Sequence, residues 1–153
     1  MDLKNTFGVL VDELRKKNPV IHAITNYVTA ESCADVALAA GASPVMADEP
    51  EEVAQITAGA DVLVLNLGTL NYTKQIAMER SAEVAKAKGI PVILDPVGVM
   101  TSNIRLNFAL KLLNKGYISI VRGNHSECAA LLDGKTGGRG VDNLAEGTEE
   151  GEV

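Results

Sequence analysis

Aromatic side chains make up only 3% of this 153-residue chain, and tryptophan is absent. A core with so few rings must be assembled from Val, Ile, Leu and Ala, which suits a parallel sheet covered by helices. Cysteine is scarce too. Cys33 and Cys128 stand far apart, with neither CxxC spacing nor a Cys/His cluster around them. They give no disulfide framework and no zinc pattern, and the expectation is two buried free thiols in a reducing compartment. The two histidines, His22 and His125, lack metal-ligand spacing: His22 reads as a hydrogen-bonded core residue within a strand and His125 as an exposed one. Positive charge is in deficit, 14 Lys and Arg against 20 Asp and Glu, and the pI is about 4.9. That argues against a nucleic-acid surface, which needs a basic patch, while a few local donors still suffice for one phosphate. Long apolar runs are missing, and Asp2, Lys4, Asp12 and Glu13 interrupt the N-terminal segment. No membrane association and a cytoplasmic location are therefore expected.

The length suits one domain with a substantial core, and the apolar residues follow two alternating rhythms. Leu3, Phe7, Leu10 and Leu14 form a helical stripe, closed by Arg15, Lys16 and Lys17 with the charge sign a helix C-terminus prefers. Pro19 ends that helix, and Val20 to Ile24 reads as a short buried strand. The next helix takes Thr29 as its N-cap and stops at Gly41. Ala42 to Met46 is a short strand carrying Pro44. Asp48-Glu-Pro-Glu51 has the cap, early proline and capping-box glutamate of a helix start, for a helix ending near Gly59. Val62 to Leu65 is a strand, Thr73 to Lys88 a helix stopped by Gly89, Pro91 to Leu94 a strand, and Ser102 to Leu113 a helix. A last apolar strand from Tyr117 halts at Arg122-Gly-Asn124. There a helix begins at once, with Asn124 as N-cap and Glu127 completing a capping box. Strands alternating with helices through short links are βαβ units. The expected fold class is α/β, a mostly parallel sheet flanked by helices with right-handed crossovers. From Asp133 the apolar periodicity stops, so 1–133 is expected to form the domain and 134–153 a Gly-rich, acidic, disordered tail.

In an open α/β sheet, ligands bind beyond the carboxyl ends of the strands. Those ends read Thr25-Asn26, Met46, Asn66-Leu-Gly-Thr69, Asp95-Pro-Val-Gly98 and Arg122-Gly-Asn124. Each alone is also ordinary loop chemistry; together, on one edge, they point to a single pocket. Asp95 precedes a proline that keeps its backbone extended, where a carboxylate suits Mg²⁺ held through water, a hydroxyl to orient, or simply a turn. Arg122 beside helix-start amides suits a phosphate, and an ion pair with a nearby carboxylate also accounts for it. Glu127 has its capping role, which is compatible with a metal nearby. Two glycine motifs fail. Gly134-Lys-Thr136 lacks the P-loop glycine, Ala129 standing in its place, and Gly137-Gly-Arg-Gly140 has no strand before it.

Taken in order, five segments resemble the hydroxyethylthiazole kinase family of the ribokinase-like group. They are His22-Ala-Ile-Thr-Asn-Tyr-Val-Thr29, Gly41-Ala-Ser-Pro-Val-Met-Ala47, Leu65-Asn-Leu-Gly-Thr69, Pro91-Val-Ile-Leu-Asp-Pro-Val-Gly98 and Arg122-Gly-Asn-His-Ser-Glu127. The likeness runs from near Pro19 to about Asp142. It implies a ribokinase-like fold in truncated form, since family members are considerably longer. Their second half carries the rest of the nucleotide site and a glycine-rich turn, with a cysteine, whose amides hold the transferring phosphate. No such turn exists here, so no catalytic residue is assigned in this chain. The resemblance also implies ATP and Mg²⁺ as cofactors and phosphorylation of the hydroxyl of 4-methyl-5-(2-hydroxyethyl)thiazole in thiamine salvage. On that basis Asn26, Val28, Met46 and Gly68 would line the thiazole pocket. Arg122 and Asn124 would meet the ATP phosphates, with Asp95 and Glu127 near Mg²⁺. The implied assembly is a homotrimer with pockets at its subunit interfaces. One departure is Val99-Met100, where the family has small residues. The competing expectations are a non-catalytic fragment, acting as a thiazole-binding or assembly module, and another ribokinase-like enzyme such as a nicotinamide-nucleotide hydrate dehydratase or a different vitamin-precursor kinase.

Overall fold

The computed structural model describes residues 3–137. Strands β1 (Val20–Ile24), β2 (Ser43–Val45), β3 (Val62–Asn66), β4 (Val92–Asp95) and β5 (Ile120–Val121) form one sheet in the order β2-β1-β3-β4-β5. Every pairing is parallel. Helix α1 (Leu3–Lys17) precedes the sheet. The connections carry α2 (Ala30–Ala40), α3 (Val53–Ala58), α4 (Tyr72–Lys88) and α5 (Asn103–Asn114), with a 3-10 turn at Val99–Thr101, and α6 (His125–Asp133) follows β5.

Period-2 alternation sets the two faces of the sheet. Register places Leu63 beside Val92 and Leu65 beside Leu94, and all four are buried. They form the core with Met78, Ala82 and Ala85 of α4 and Leu106, Phe108, Ala109 and Leu112 of α5. On the other face, register aligns Ala23, Val64, Ile93 and Ile120 in one row, which grows more exposed toward the β5 edge. Val99 and Met100, the departure noted above, are buried in this same core.

Helix ends follow the sequence closely. Gly41, Gly89 and Gly134 cap α2, α4 and α6 in the left-handed conformation, and the Asn124–Glu127 capping box is formed in full. Three expectations need correction. The segment from Asp48 to Glu51 does not start a helix. Its Asp48 carboxylate accepts from the Tyr27 hydroxyl, Arg80 holds the Pro50 carbonyl and the Glu51 carboxylate, and α3 starts only at Val53. The last strand is two residues long, because Tyr117 and Ile118 pack against the core and the Ser119 hydroxyl accepts from the Val92 amide, filling a ladder position. The thiols are not buried either: Cys33 is exposed on α2 and Cys128 half-buried on α6. Thr29 stands at the head of α2, but its side chain makes no cap bond; Asn26 accepts from the Val28 and Thr29 amides instead.

The segment expected as a tail starts against the domain, where the Gly137 amide donates to Met100 and the Thr136 hydroxyl to Asn103. From 138 onward the expected tail lies outside the described residues. Among the described residues, no helix is long and apolar enough to cross a membrane.

Candidate active site

The carboxyl ends of all five strands lie on one edge, as a parallel sheet requires. At its centre, Asn26 and Asn66 link β1 to β3. The Asn26 amide donates to Asn66 Oδ1 at 3.0 Å, and the same oxygen accepts from the Gly68 amide at 2.9 Å. Asn26 Oδ1 accepts from Val28 N, Thr29 N and the Thr29 hydroxyl. Its side chain is therefore a structural node. Gly68 is required by this packing: a Cβ there would sit 2.7 Å from the Asn26 Cβ and 2.9 Å from Asn66 Oδ1. Val28 stands 82% exposed, and Met46 is half-buried just beyond β2. The structure brings Asn26 and Gly68 together, and sets Val28 and Met46 on neighbouring loops of the same edge.

A cleft of about 440 Å³ opens beside them, lined by Asp95, Val97, Arg122, Gly123, Asn124 and Glu127. Asn66 and Asp95 are register partners, so both point from the same sheet face. Arg122 follows the short β5 and pairs with Asp95 at 3.1 Å, its own side chain 78% exposed. Glu127 is 4% exposed, and both of its oxygens are engaged. Oε2 accepts from Asn124 N at 2.9 Å and Oε1 from Gly98 N at 3.2 Å. Glu127 thus ties the turn after β4 to the start of α6. Gly98 adopts φ +72, and a side chain there would collide with the Arg105 guanidinium, which donates to the Val97 carbonyl. The result is a cleft with two carboxylates, one exposed cation and a helix N-terminus. A second, more apolar groove of about 560 Å³ runs along α2 past Ile21 and Ala42, and its inner end is Asn66, Asp95 and Arg122. The two depressions therefore share the Asp95–Arg122 pair.

Two buried ionisable groups support this edge. His22 is bonded through both ring nitrogens: Nε2 donates to the Ala47 carbonyl at 2.9 Å, and in the neutral ring Nδ1 accepts from the Thr57 hydroxyl at 2.8 Å. Burial lowers its pKa, against the opposing effect of the Ala47 carbonyl and Glu52. Lys74 is the residue that sequence reasoning missed. It is 1% exposed, at the head of α4, where a lysine ordinarily reads as solvated. The available signal was its position on the buried stripe of α4, in line with Ala77, Met78, Ser81, Ala82 and Ala85. His125, by contrast, is exposed as expected.

Among the described residues no cluster of three or more His, Cys, Asp and Glu forms a metal cage. A site for Mg²⁺ takes one or two carboxylates, water and substrate phosphate in preference to an all-protein cage. Asp95 and Glu127 supply that number, and their remaining lone pairs are compatible with water-mediated contact.

An all-parallel sheet with its ligand-type residues gathered on the carboxyl edge defines an open α/β protein that binds its ligand there. The chain matches the model of the "Hydroxyethylthiazole kinase family" over residues 11–152. It belongs to that family. The protein named hydroxyethylthiazole kinase of Ruminiclostridium cellulolyticum is 47% identical over 133 residues, which are 87% of this chain and 49% of the relative. The one of Methanocella arvoryzae is 43% identical over 143 residues, 94% of this chain and 53% of the relative. A solved hydroxyethylthiazole kinase protein from Pyrococcus horikoshii OT3 superposes with a TM-score of 0.81 at 35% identity, covering 85% of this chain and 51% of that one. The chain spans about half the length of the curated relatives it matches.

Proposed function

We propose that this chain carries the thiazole-binding side and the metal-facing side of an ATP-dependent phosphotransferase site acting on 4-methyl-5-(2-hydroxyethyl)thiazole. The observation that carries the reading is the cleft of Asp95, Arg122, Asn124 and Glu127 placed directly beside the Asn26–Asn66–Gly68 node. The adjacency suits a phosphate donor meeting a neutral alcohol. Phosphoryl transfer needs positioning and charge neutralisation more than covalent help, and these side chains provide both.

In this reading Arg122 and Asn124 receive the ATP phosphates, and Asp95 and Glu127 face Mg²⁺, which when bound neutralises phosphate charge. The Asp95–Arg122 pair is an exchangeable latch. An exposed ion pair is worth at most about 1 kcal/mol, so an arriving phosphate can draw Arg122 away at little cost. That exchange leaves the Asp95 carboxylate to the cation. Glu127, fixed by the Asn124 and Gly98 amides, stays in place. Asn26, Val28, Met46 and Gly68 line the thiazole site. The exposure of Val28, together with Phe7 and Leu10 of α1 and Val36 of α2, fits a trimer in which a neighbouring subunit completes the pocket. A cytoplasmic setting suits the exposed free Cys33.

Two measurements on the folded chain test this. Calorimetry with the thiazole alcohol should show saturable binding, weakened at least about tenfold by Gly68→Val. A coupled ADP-release assay with Mg²⁺ and ATP should then show turnover dependent on the alcohol. Binding without turnover would restrict this chain to a thiazole-binding module, and absence of both would reject the reading.

A further inference from the structure

Lys74 is a fully buried cation for which the proposed chemistry has no use. A buried ammonium is costly unless it is compensated, and here Nζ has two hydrogen-bond acceptors and a ring face. Nζ donates to the Thr25 carbonyl at 2.6 Å and to the Thr69 hydroxyl at 3.2 Å, and it sits 3.6 Å from the centroid of the Tyr27 ring. The partners come from two loops of the carboxyl edge, Thr25 and Tyr27 from the one after β1 and Thr69 from the one after β3. Thr69 follows β3 with a left-handed φ of 47, and its hydroxyl also accepts from the Tyr27 amide at 3.2 Å. Tyr27 in turn donates to Asp48, in the loop after β2, at 3.3 Å.

We propose that Lys74 is the positioning residue of the thiazole site: from the head of α4 it fixes, in one network, the three loops that carry Asn26 and Val28, Met46, and Gly68. The proposal rests on the reading that those residues line the site. The network itself is independent of any ligand. Thr25, Tyr27 and Thr69 touch the ammonium directly, and Asp48 reaches it through Tyr27. Among the described residues no carboxylate forms a salt bridge with it, so the cation is held by dipoles and a ring face that only these loop conformations supply. Burial lowers the Lys74 pKa and the Asp48 carboxylate opposes that shift, which marks the charge as one retained at a cost to folding. A lysine serving stability alone gains nothing from such a place, because an apolar side chain of equal length would pack there without the desolvation.

The test compares Lys74→Met with Lys74→Arg in the full 153-residue chain. Amide hydrogen exchange is the ligand-free readout. In Lys74→Met, amides of 26–29, 46–48 and 68–71 should exchange at least about tenfold faster, while those of β3 and β4 keep their protection. Calorimetry with the thiazole alcohol is the second readout, with affinity falling at least about tenfold in Lys74→Met and partly recovering in Lys74→Arg, which restores a cation and donors. Unchanged loop exchange, uniform loss of protection across the sheet, or equal affinity in the Met and Arg variants would overturn the proposal. Should Lys74→Met fail to fold, Thr69→Ala breaks the same network at its rim and must loosen 26–29 and 68–71 together. If the unmodified chain binds no thiazole, the functional reading fails while the exchange experiment still decides what Lys74 holds.

Discussion

His22 and Lys74 show how differently two buried polar residues read from sequence. His22 sits in an apolar strand, so burial and a hydrogen-bonded role were legible, although its partners Thr57 and Ala47 lie far along the chain. Lys74 was not legible, because its partners come from β1 and β3 and a lysine in a first helical turn is usually solvated. The histidine gives a prediction with a definite sign. Its folded pKa lies below the ordinary 6.5 because burial disfavours the cation. Below pH 6.5 the unfolded chain therefore binds a proton that the folded chain refuses. The stability from a neutral His22 is complete above that value and is lost as pH falls through the lowered one. Urea midpoints should decline as pH falls below 6.5, and His22→Gln should flatten the decline; equal slopes in the two proteins would refute it. Arg122 illustrates a third case. Both readings left open by the sequence, ion pair and phosphate ligand, remain compatible with a side chain that is paired and exposed at once.

Elements with local signals formed where the sequence put them, and those decided by tertiary contacts did not. The α6 capping box lies within four residues and is complete. The apparent cap at Asp48 carries the same local signature, yet Tyr27 and Arg80, distant in sequence, take its groups and delay the helix to Val53. Helix α4 begins at Tyr72 under Asn71, whose side chain accepts from Lys74 N at 2.8 Å. Asn71→Ala should therefore cost about 1 kcal/mol, read as a lower urea midpoint with unchanged slope; a loss below about 0.3 kcal/mol would show that α4 is held by packing alone. Strand β5 failed to reach its expected length for a related reason. Its apolar residues Tyr117 and Ile118 found the core first, and only Ile120 and Val121 remained to pair.

For the whole molecule, the core lies on one face of the sheet, between β3, β4, α4 and α5. The opposite face carries the apolar row ending at Ile120, which is exposed on an edge that no strand of the described residues covers. Such an edge pairs readily with other chains. Ile120→Lys should lower concentration-dependent association beyond the proposed trimer in sedimentation velocity and change stability by less than about 0.5 kcal/mol, as for a surface substitution. Higher association that persists undiminished would refute a role for this edge. The strand order has a consequence in time as well. After β1 has paired with β2 on one side, β3 joins β1 on the other, and β4 and β5 then follow, each against the strand made just before it. Growth is therefore one-directional, and a chain emerging from the ribosome can extend its sheet strand by strand without reopening any earlier pairing. The polar residues at each carboxyl end are added in the same order, so the site is laid down loop by loop, from Asn26 to Glu127.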